Sequence, residues 1–239
     1  MDGDLDQLSE AGRDHEGSFV LENPWLLKAS LHSGALKARL GSMVAYQGEL
    51  AFERDKPGFK RLFKRALTSE GGKLVNVTGT GELFAAHLGQ QVFRLRLEDE
   101  AMTCNSHNLL AFESGIDWDI QRVRKGLAGK VAGGLFNTHL SGTGWVALVS
   151  DGKPVLLRPS EAPTFADPQS AIAWSGTLET SFKTDFQLRT FIGLGSGESV
   201  QIGFQGEGWV LVQPSEGRRK ASTGGGGGGL ADLFSAAGG

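Results

Sequence analysis

Apolar residues fall on every second position in three separate stretches of this chain. The first holds Val44, Tyr46, Leu50 and Phe52. The second holds Leu110, Phe112, Ile116, Trp118 and Ile120, and the third Ile172, Trp174, Leu178 and Phe182. A period of two belongs to a strand, whose side chains point alternately to its two faces. Each stretch is therefore predicted as a strand with one buried face and one wetter face. All three open alike, with an apolar residue, Ala and an aromatic: Val44-Ala45-Tyr46, Leu110-Ala111-Phe112 and Ile172-Ala173-Trp174. The alanines stand 66 and 62 residues apart. Gly48 and Gly176 align in mid-strand, where the second copy has Ser114 and then Gly115. A glycine inside a strand marks a bulge or bend.

A second marker keeps the same phase. Gly79-Thr80-Gly81, Gly142-Thr143-Gly144 and Gly206-Glu207-Gly208 each lead into an apolar strand, and their first glycines lie 63 and 64 residues apart. From each alanine to the second glycine of its marker the distances are 36, 33 and 35 residues. Two independent markers agree on one period, so the chain reads as three diverged copies of one β unit. The units are expected at 24–88, 89–150 and 151–214, within one all-β domain over 24–214. Between the markers run less regular connectors. Over Arg54–Leu67, the residues Phe59, Leu62, Phe63, Ala66 and Leu67 fall at helical spacing, which predicts a short basic amphipathic helix. The second connector, QRVRKGLAGKVAGGLF, is basic and then glycine-rich.

Composition adds the ends and the compartment. The 239 residues include 36 Gly, five Trp and fourteen Phe, enough apolar bulk for one sizeable core. Residues 1–23 are acidic and 215–239 polar and glycine-rich, including Gly224–Gly229, so both are expected to be mostly disordered. A terminal Leu230-Ala231-Asp232-Leu233-Phe234 is read as tail rather than docking peptide. The net charge of −3 argues against nucleic acid as a partner. No stretch of about 18 apolar residues occurs, and the opening lacks the basic start of a signal peptide. The expected location is cytoplasmic, peripheral to the membrane. Cys104 is the only cysteine, which excludes an internal disulfide and leaves a small core residue as its reading.

The segments MVAYQGELAFE, LSGTGWVALVSDG and GEGWVLVQPSEG resemble the altered-inheritance-of-mitochondria-24 family over about residues 24–214. The resemblance implies a fold similar to the tryptophan RNA-binding attenuator protein, a double-stranded β-helix or barrel-like domain. It implies no enzyme activity. It links the chain to membrane organisation.

No reaction is written in the residues. His15, His32, His87, His107 and His139 lack metal-ligand spacing, and no cofactor or metal is expected. Glu113, Asp117 and Asp119 alternate along a predicted strand without a nucleophile beside them, and are read as a solvated face. Gly126 and Gly129 before Lys130 miss the phosphate-loop spacing. The remaining candidates are the basic connectors. Arg54–Lys73 carries seven bases and two acids, and Gln121–Lys130 four bases and no acid. Phe59, Lys60, Arg61, Phe63, Lys64 and Arg65, with Arg122, Arg124, Lys125 and Lys130, are the expected contact with an anionic surface. The functional expectation is a non-enzymatic β scaffold that forms homo-oligomers or docks on a protein or a membrane. A small-ligand or metal-binding β barrel is the alternative.

Overall fold

The structure is a computed structural model that describes residues 17–54, 74–122, 136–184 and 200–215. These residues form fourteen strands and the turns between them, with no helix. In chain order they are β1 (Phe19–Asn23), β2 (Leu26–Arg39), β3 (Met43–Arg54), β4 (Leu74–Ala85), β5 (Gln91–Asn105), β6 (Leu109–Glu113) and β7 (Ile116–Arg122). There follow β8 (Phe136–Ser150), β9 (Val155–Leu157), β10 (Thr164–Ala166), β11 (Ala171–Ser175), β12 (Glu179–Thr184), β13 (Val200–Gln205) and β14 (Val210–Val212). One sheet runs β3-β4-β2-β6-β8-β5-β11-β14-β9, with β1 beside β2 and β7 beside β8; a second runs β10-β13-β12. All pairings are antiparallel. The all-β expectation holds. The large sheet is not closed into a barrel, because it ends in β3 on one side and β9 on the other.

Hydrogen-bond register recurs along the chain at fixed offsets. Leu27 faces Ala85, Phe93 faces Leu148 and Val155 faces Val212. Further along, Ala38 faces Val75, Cys104 faces Thr138 and Ala166 faces Ile202. In both series the first residues stand 66 and 62 positions apart. Three leading strands, β2, β5 and the broken pair β9–β10, therefore meet three hairpins in one register. The hairpins are β3–β4, β6/β7–β8 and β11/β12–β13/β14. Tyr46, Phe112 and Trp174 face Leu83, Val146 and Val210, which follow the second marker glycine by two residues in every case.

A bulge matches too. β2 slips register between Leu31 and Gly34, and β5 between Leu97 and Glu100. Ser33 and Asp99 sit there with φ of 53° and 57°, a conformation that costs a non-glycine residue energy unless something holds it. The backbone N–H of Ser33 donates to Thr80 Oγ1 at 3.1 Å, and that of Asp99 to Thr143 Oγ1 at 2.9 Å. The middle residue of the Gly-x-Gly marker thus pins the bulge. At the same offset, β9 and β10 are separated by Arg158–Pro163, which carries Pro159 and Pro163.

The marker glycines answer to close contact as well as to φ. Gly142 has φ of 124°, and a Cβ there would lie 2.5 Å from the carbonyl oxygen of Gly115. A Cβ on Gly115 would in turn lie 2.5 Å from the carbonyl oxygen of Thr143. Two backbones cross here with no room for a side chain between them.

The core forms three clusters. Leu95, Leu97, Met102, Phe112, Leu140 and Leu148 centre the first. Leu27, Leu83, Leu110 and Val149 belong to the second, and Trp174, Ile202, Phe204 and Val210 to the third. Phe112 meets Trp118 edge-on at 6.3 Å, and Trp174 meets Phe204 at 5.4 Å.

Several expectations change. The chain enters the sheet before Pro24, because Phe19 and Val20 bury themselves and β1 pairs with β2. Glu113 does not share a solvated face with Asp117 and Asp119. A turn separates β6 from β7, and the half-buried Glu113 carboxylate accepts the N–H of Trp145 at 2.7 Å and the hydroxyl of Ser18. The alternation in β6/β7 and β11/β12 buries the expected faces, but β3 is exposed along nearly its whole length. In the expected helix, Arg54 ends β3 and residues 55–67 lie outside the described residues.

A residue forced to φ near 124° costs about 1–2 kcal/mol, and the clash with Gly115 adds to that. Gly142→Ala is therefore expected to lower the unfolding free energy by about 2–3 kcal/mol, read from the urea midpoint at unchanged slope. Gly41→Ala is the control, since a Cβ at Gly41 meets nothing within 4 Å although φ is 84°. It should cost about 1–2 kcal/mol, the backbone term alone.

Candidate interaction surface

Two junctions join the hairpins, and they are built alike. Leu36, Lys37 and Ala38 of β2 face Glu113, Phe112 and Ala111 of β6. Met102, Thr103 and Cys104 of β5 face Ser175, Trp174 and Ala173 of β11. One further bond extends each ladder. Ser114 N–H donates to Ala35 O at 3.3 Å, and Gly176 N–H to Ala101 O at 2.8 Å. So the end of each leading strand covers the first half of the next hairpin, in one register, with three residue pairs.

Covering decides burial. Leu110 and Phe112 are 0% exposed, and Ile172, Ala173 and Trp174 are buried as well. The matching residues of β3 have no leading strand against them among the described residues. There Val44 is 62% and Tyr46 49% exposed, and Met43 is exposed too. Ring contact between Tyr46 and Phe52 at 5.2 Å is local and does not hide either.

The last leading strand, the broken pair β9–β10, shows the converse. Val155 is 52% exposed, whereas Leu27 and Phe93, which hold the same register, are buried. Phe165 of β10 is 42% exposed, and Lys183 Nζ stands 4.4 Å from the centre of its ring. Nine large apolar residues are exposed among the described residues; seven of them lie at these two places. Leu40, Met43, Val44, Tyr46 and Phe52 lie at one, Val155 and Phe165 at the other. Scattered exposed apolar residues are ordinary; a concentration on and beside strands with an open edge is the signature of a contact surface.

The basic candidates fall elsewhere. Phe59, Lys60, Arg61, Phe63, Lys64, Arg65, Arg124, Lys125 and Lys130 lie outside the described residues. Arg122 ends β7, its backbone opposite Phe136. The basic stretches link the ends of hairpin strands: 55–73 joins β3 to β4, and 123–135 joins β7 to β8.

Chemistry-bearing residues are dispersed. His139 on β8 meets Thr103 Oγ1 through Nδ1 at 3.2 Å, and His107 turns to Asn105 at 3.3 Å. Among the described residues no three His, Cys, Asp or Glu stand close enough to hold a metal ion. Cys104 is fully buried on β5, as its core reading expects, and burial pushes its thiol up to about 12. No described helix is long and apolar enough to cross a membrane.

The family model for mitochondrial biogenesis AIM24 matches residues 21–215. The chain belongs to that family. The match begins inside β1 and closes just past β14, so the AIM24 unit comprises almost every strand described above. Among solved structures, the crystal structure of protein SPYM3_0169 from Streptococcus pyogenes is similar, with a TM-score of 0.65 at 20% identity. The likeness covers 82% of this chain and 92% of that one, and it carries the fold alone. No curated protein matches.

Sequence reasoning pointed to connectors and passed over the strand ends. One signal was present: Pro159 and Pro163 stand between β9 and β10, and proline within a β region marks an edge. For β3 the alternation itself misled, because it is the same in covered and uncovered strands.

A buried thiol with so high a pKa neither ionises nor meets reagent in the folded state. At pH 8, Cys104 is expected to react with an aromatic disulfide reagent at least about a hundredfold more slowly than in denaturant. Rapid labelling of the folded protein would show that β5 opens.

Proposed function

We propose that this AIM24-family chain is a non-enzymatic scaffold of three repeated β modules that self-associates through its open strand ends. The observation that carries this is the exposure of β3: residues that are buried in the register-matched β6 and β11 lie open in β3. Several large apolar side chains left in water on one edge strand favour association, at roughly 25 cal/mol per Å² of apolar surface removed. An edge strand also offers a row of unpaired N–H and C=O groups that only another strand satisfies in full. The family's link to mitochondrial biogenesis fits an organising role better than a catalytic one. Docking of such an assembly on an anionic membrane surface draws support only from the charge of the connectors.

Sedimentation velocity across a hundredfold range of concentration tests the reading. The expected outcome is a concentration-dependent species heavier than one chain, which persists at 1 M NaCl because its contacts are apolar and backbone-based. A species of one chain's mass at every concentration refutes self-association. Superposition of the three modules in an experimental structure tests the repeat, with Tyr46, Phe112 and Trp174 expected in matching places.

A further inference from the structure

An open edge of the large sheet, at β3, fits an open edge of the small one, at β10. Every internal junction places the end of a leading strand against the start of the following hairpin. Residues 36–38 meet 111–113, and residues 102–104 meet 173–175. Moving both sides on by the same offsets leads from 102–104 to Thr164, Phe165 and Ala166 of β10. Moving both sides back leads from 111–113 to Ala45, Tyr46 and Gln47 of β3. Among the described residues β10 pairs only with β13, and β3 only with β4. The chain thus carries one unused donor of the junction and one unused acceptor.

We propose that β3 of one molecule pairs antiparallel with β10 of a second copy of this chain, joining molecules head to tail. The register sets Ala45 opposite Ala166, Tyr46 opposite Phe165 and Gln47 opposite Thr164. This rests on the self-association reading above and goes beyond it by naming the surfaces and their alignment.

Four observations favour a second copy over any other occupant. Both halves of the junction are present on one chain, so identical chains are complementary. β10 has three residues, the number each internal junction uses. The residues the register sets face to face, Tyr46 and Phe165, are both half-exposed, and an aromatic cross-strand pair stabilises a sheet. The extra junction bond also has its partners. Gly48 takes the place of Ser114 and Gly176 as donor, and Pro163 the place of Ala35 and Ala101, where only a carbonyl is needed. Such a contact is heterologous: each molecule uses one surface to give and another to receive.

Cross-linking reads the register directly. One preparation carries Tyr46→Cys, another Phe165→Cys; a second set carries Ala45→Cys and Ala166→Cys. Neighbouring opposite pairs alternate between hydrogen-bonded and non-hydrogen-bonded geometry, and the latter brings side chains closer, so one of the two sets suits a disulfide. Buried Cys104 stays silent. The expected result is a disulfide-linked dimer when the two preparations of a set are mixed and oxidised, and none from either alone. As a second reading, Val44→Lys, at an open position, should raise the apparent dissociation constant about tenfold or more while the circular dichroism is unchanged.

Dimers from Tyr46→Cys alone would mean β3 pairs with β3, and would overturn the proposal. So would a disulfide within single molecules of the Tyr46→Cys/Phe165→Cys double variant, since the chain would then close on itself. Self-association that persists without any of these links sinks the register and leaves the scaffold reading standing. A monomeric wild type sinks both.

Discussion

Two of the three hairpins in this protein are finished by a strand that comes from elsewhere in the chain. β2 completes β6, and β5 completes β11, by the same three-residue ladder. Where this happens the hairpin's apolar face is dry, and where it does not the same kind of face is wet. The ladder therefore sets the burial pattern of the sheet. It also has an arithmetic consequence. Three leading strands and three hairpins in one linear chain form two such junctions, so one hairpin and one leading strand stay open. Closing the sheet on itself removes both ends, but the described residues show no such closure.

The junction in turn rests on how closely the strands of each hairpin cross. Gly142 faces the carbonyl of Gly115 and Gly115 that of Thr143 without a Cβ between them, and Gly81 approaches the carbonyl of Gln47 in the same manner. In each covered hairpin the first half pairs with the neighbouring leading strand and the second half does not. Side chains hold that arrangement. Glu113 takes the N–H of Trp145, and Ser175 Oγ takes that of Trp209 at 2.9 Å; the acceptors stand 62 residues apart and the donors 64. At the corresponding place β3 has Gln47, whose backbone pairs regularly with Glu82. The uncovered hairpin accordingly keeps a continuous strand where the covered ones break.

Much of this was legible in the sequence. The alternation located the hairpin strands, and the two glycine and alanine markers set the offsets that the register follows. Period-two patterns identify strands because the pleat forces alternation, whatever lies on either side. For that reason they said nothing of whether Val44 and Tyr46 are covered. Coverage depends on pairing between residues 69 to 77 apart, such as Ala38 with Ala111, and no local pattern encodes it. Glu113 was misplaced for a related reason: the turn at Ser114–Gly115 interrupts the strand, and a short period-two run continues in phase across it. Basic connectors drew attention because charge is the most visible feature of a sequence, and their residues lie outside the described structure.

Open ends that match each other are a hazard as well as a resource. A strand edge with exposed valine and tyrosine recruits any extended chain, and natural sheets blunt such edges. Here one end is blunted and the other is not. Pro159 and Pro163 interrupt the last leading strand, so β9 and β10 offer two short runs where β2 and β5 offer one long one. β3 stays long, but Glu49 and Glu53 place charge along its second half, beyond the junction positions. What remains pairable at each end is a segment of about three residues, and two such segments fit in one register only. Short, matched ends favour a specific contact over indiscriminate stacking. Whether repeated contacts close into a ring or run on as a filament then depends on the rotation from one copy to the next.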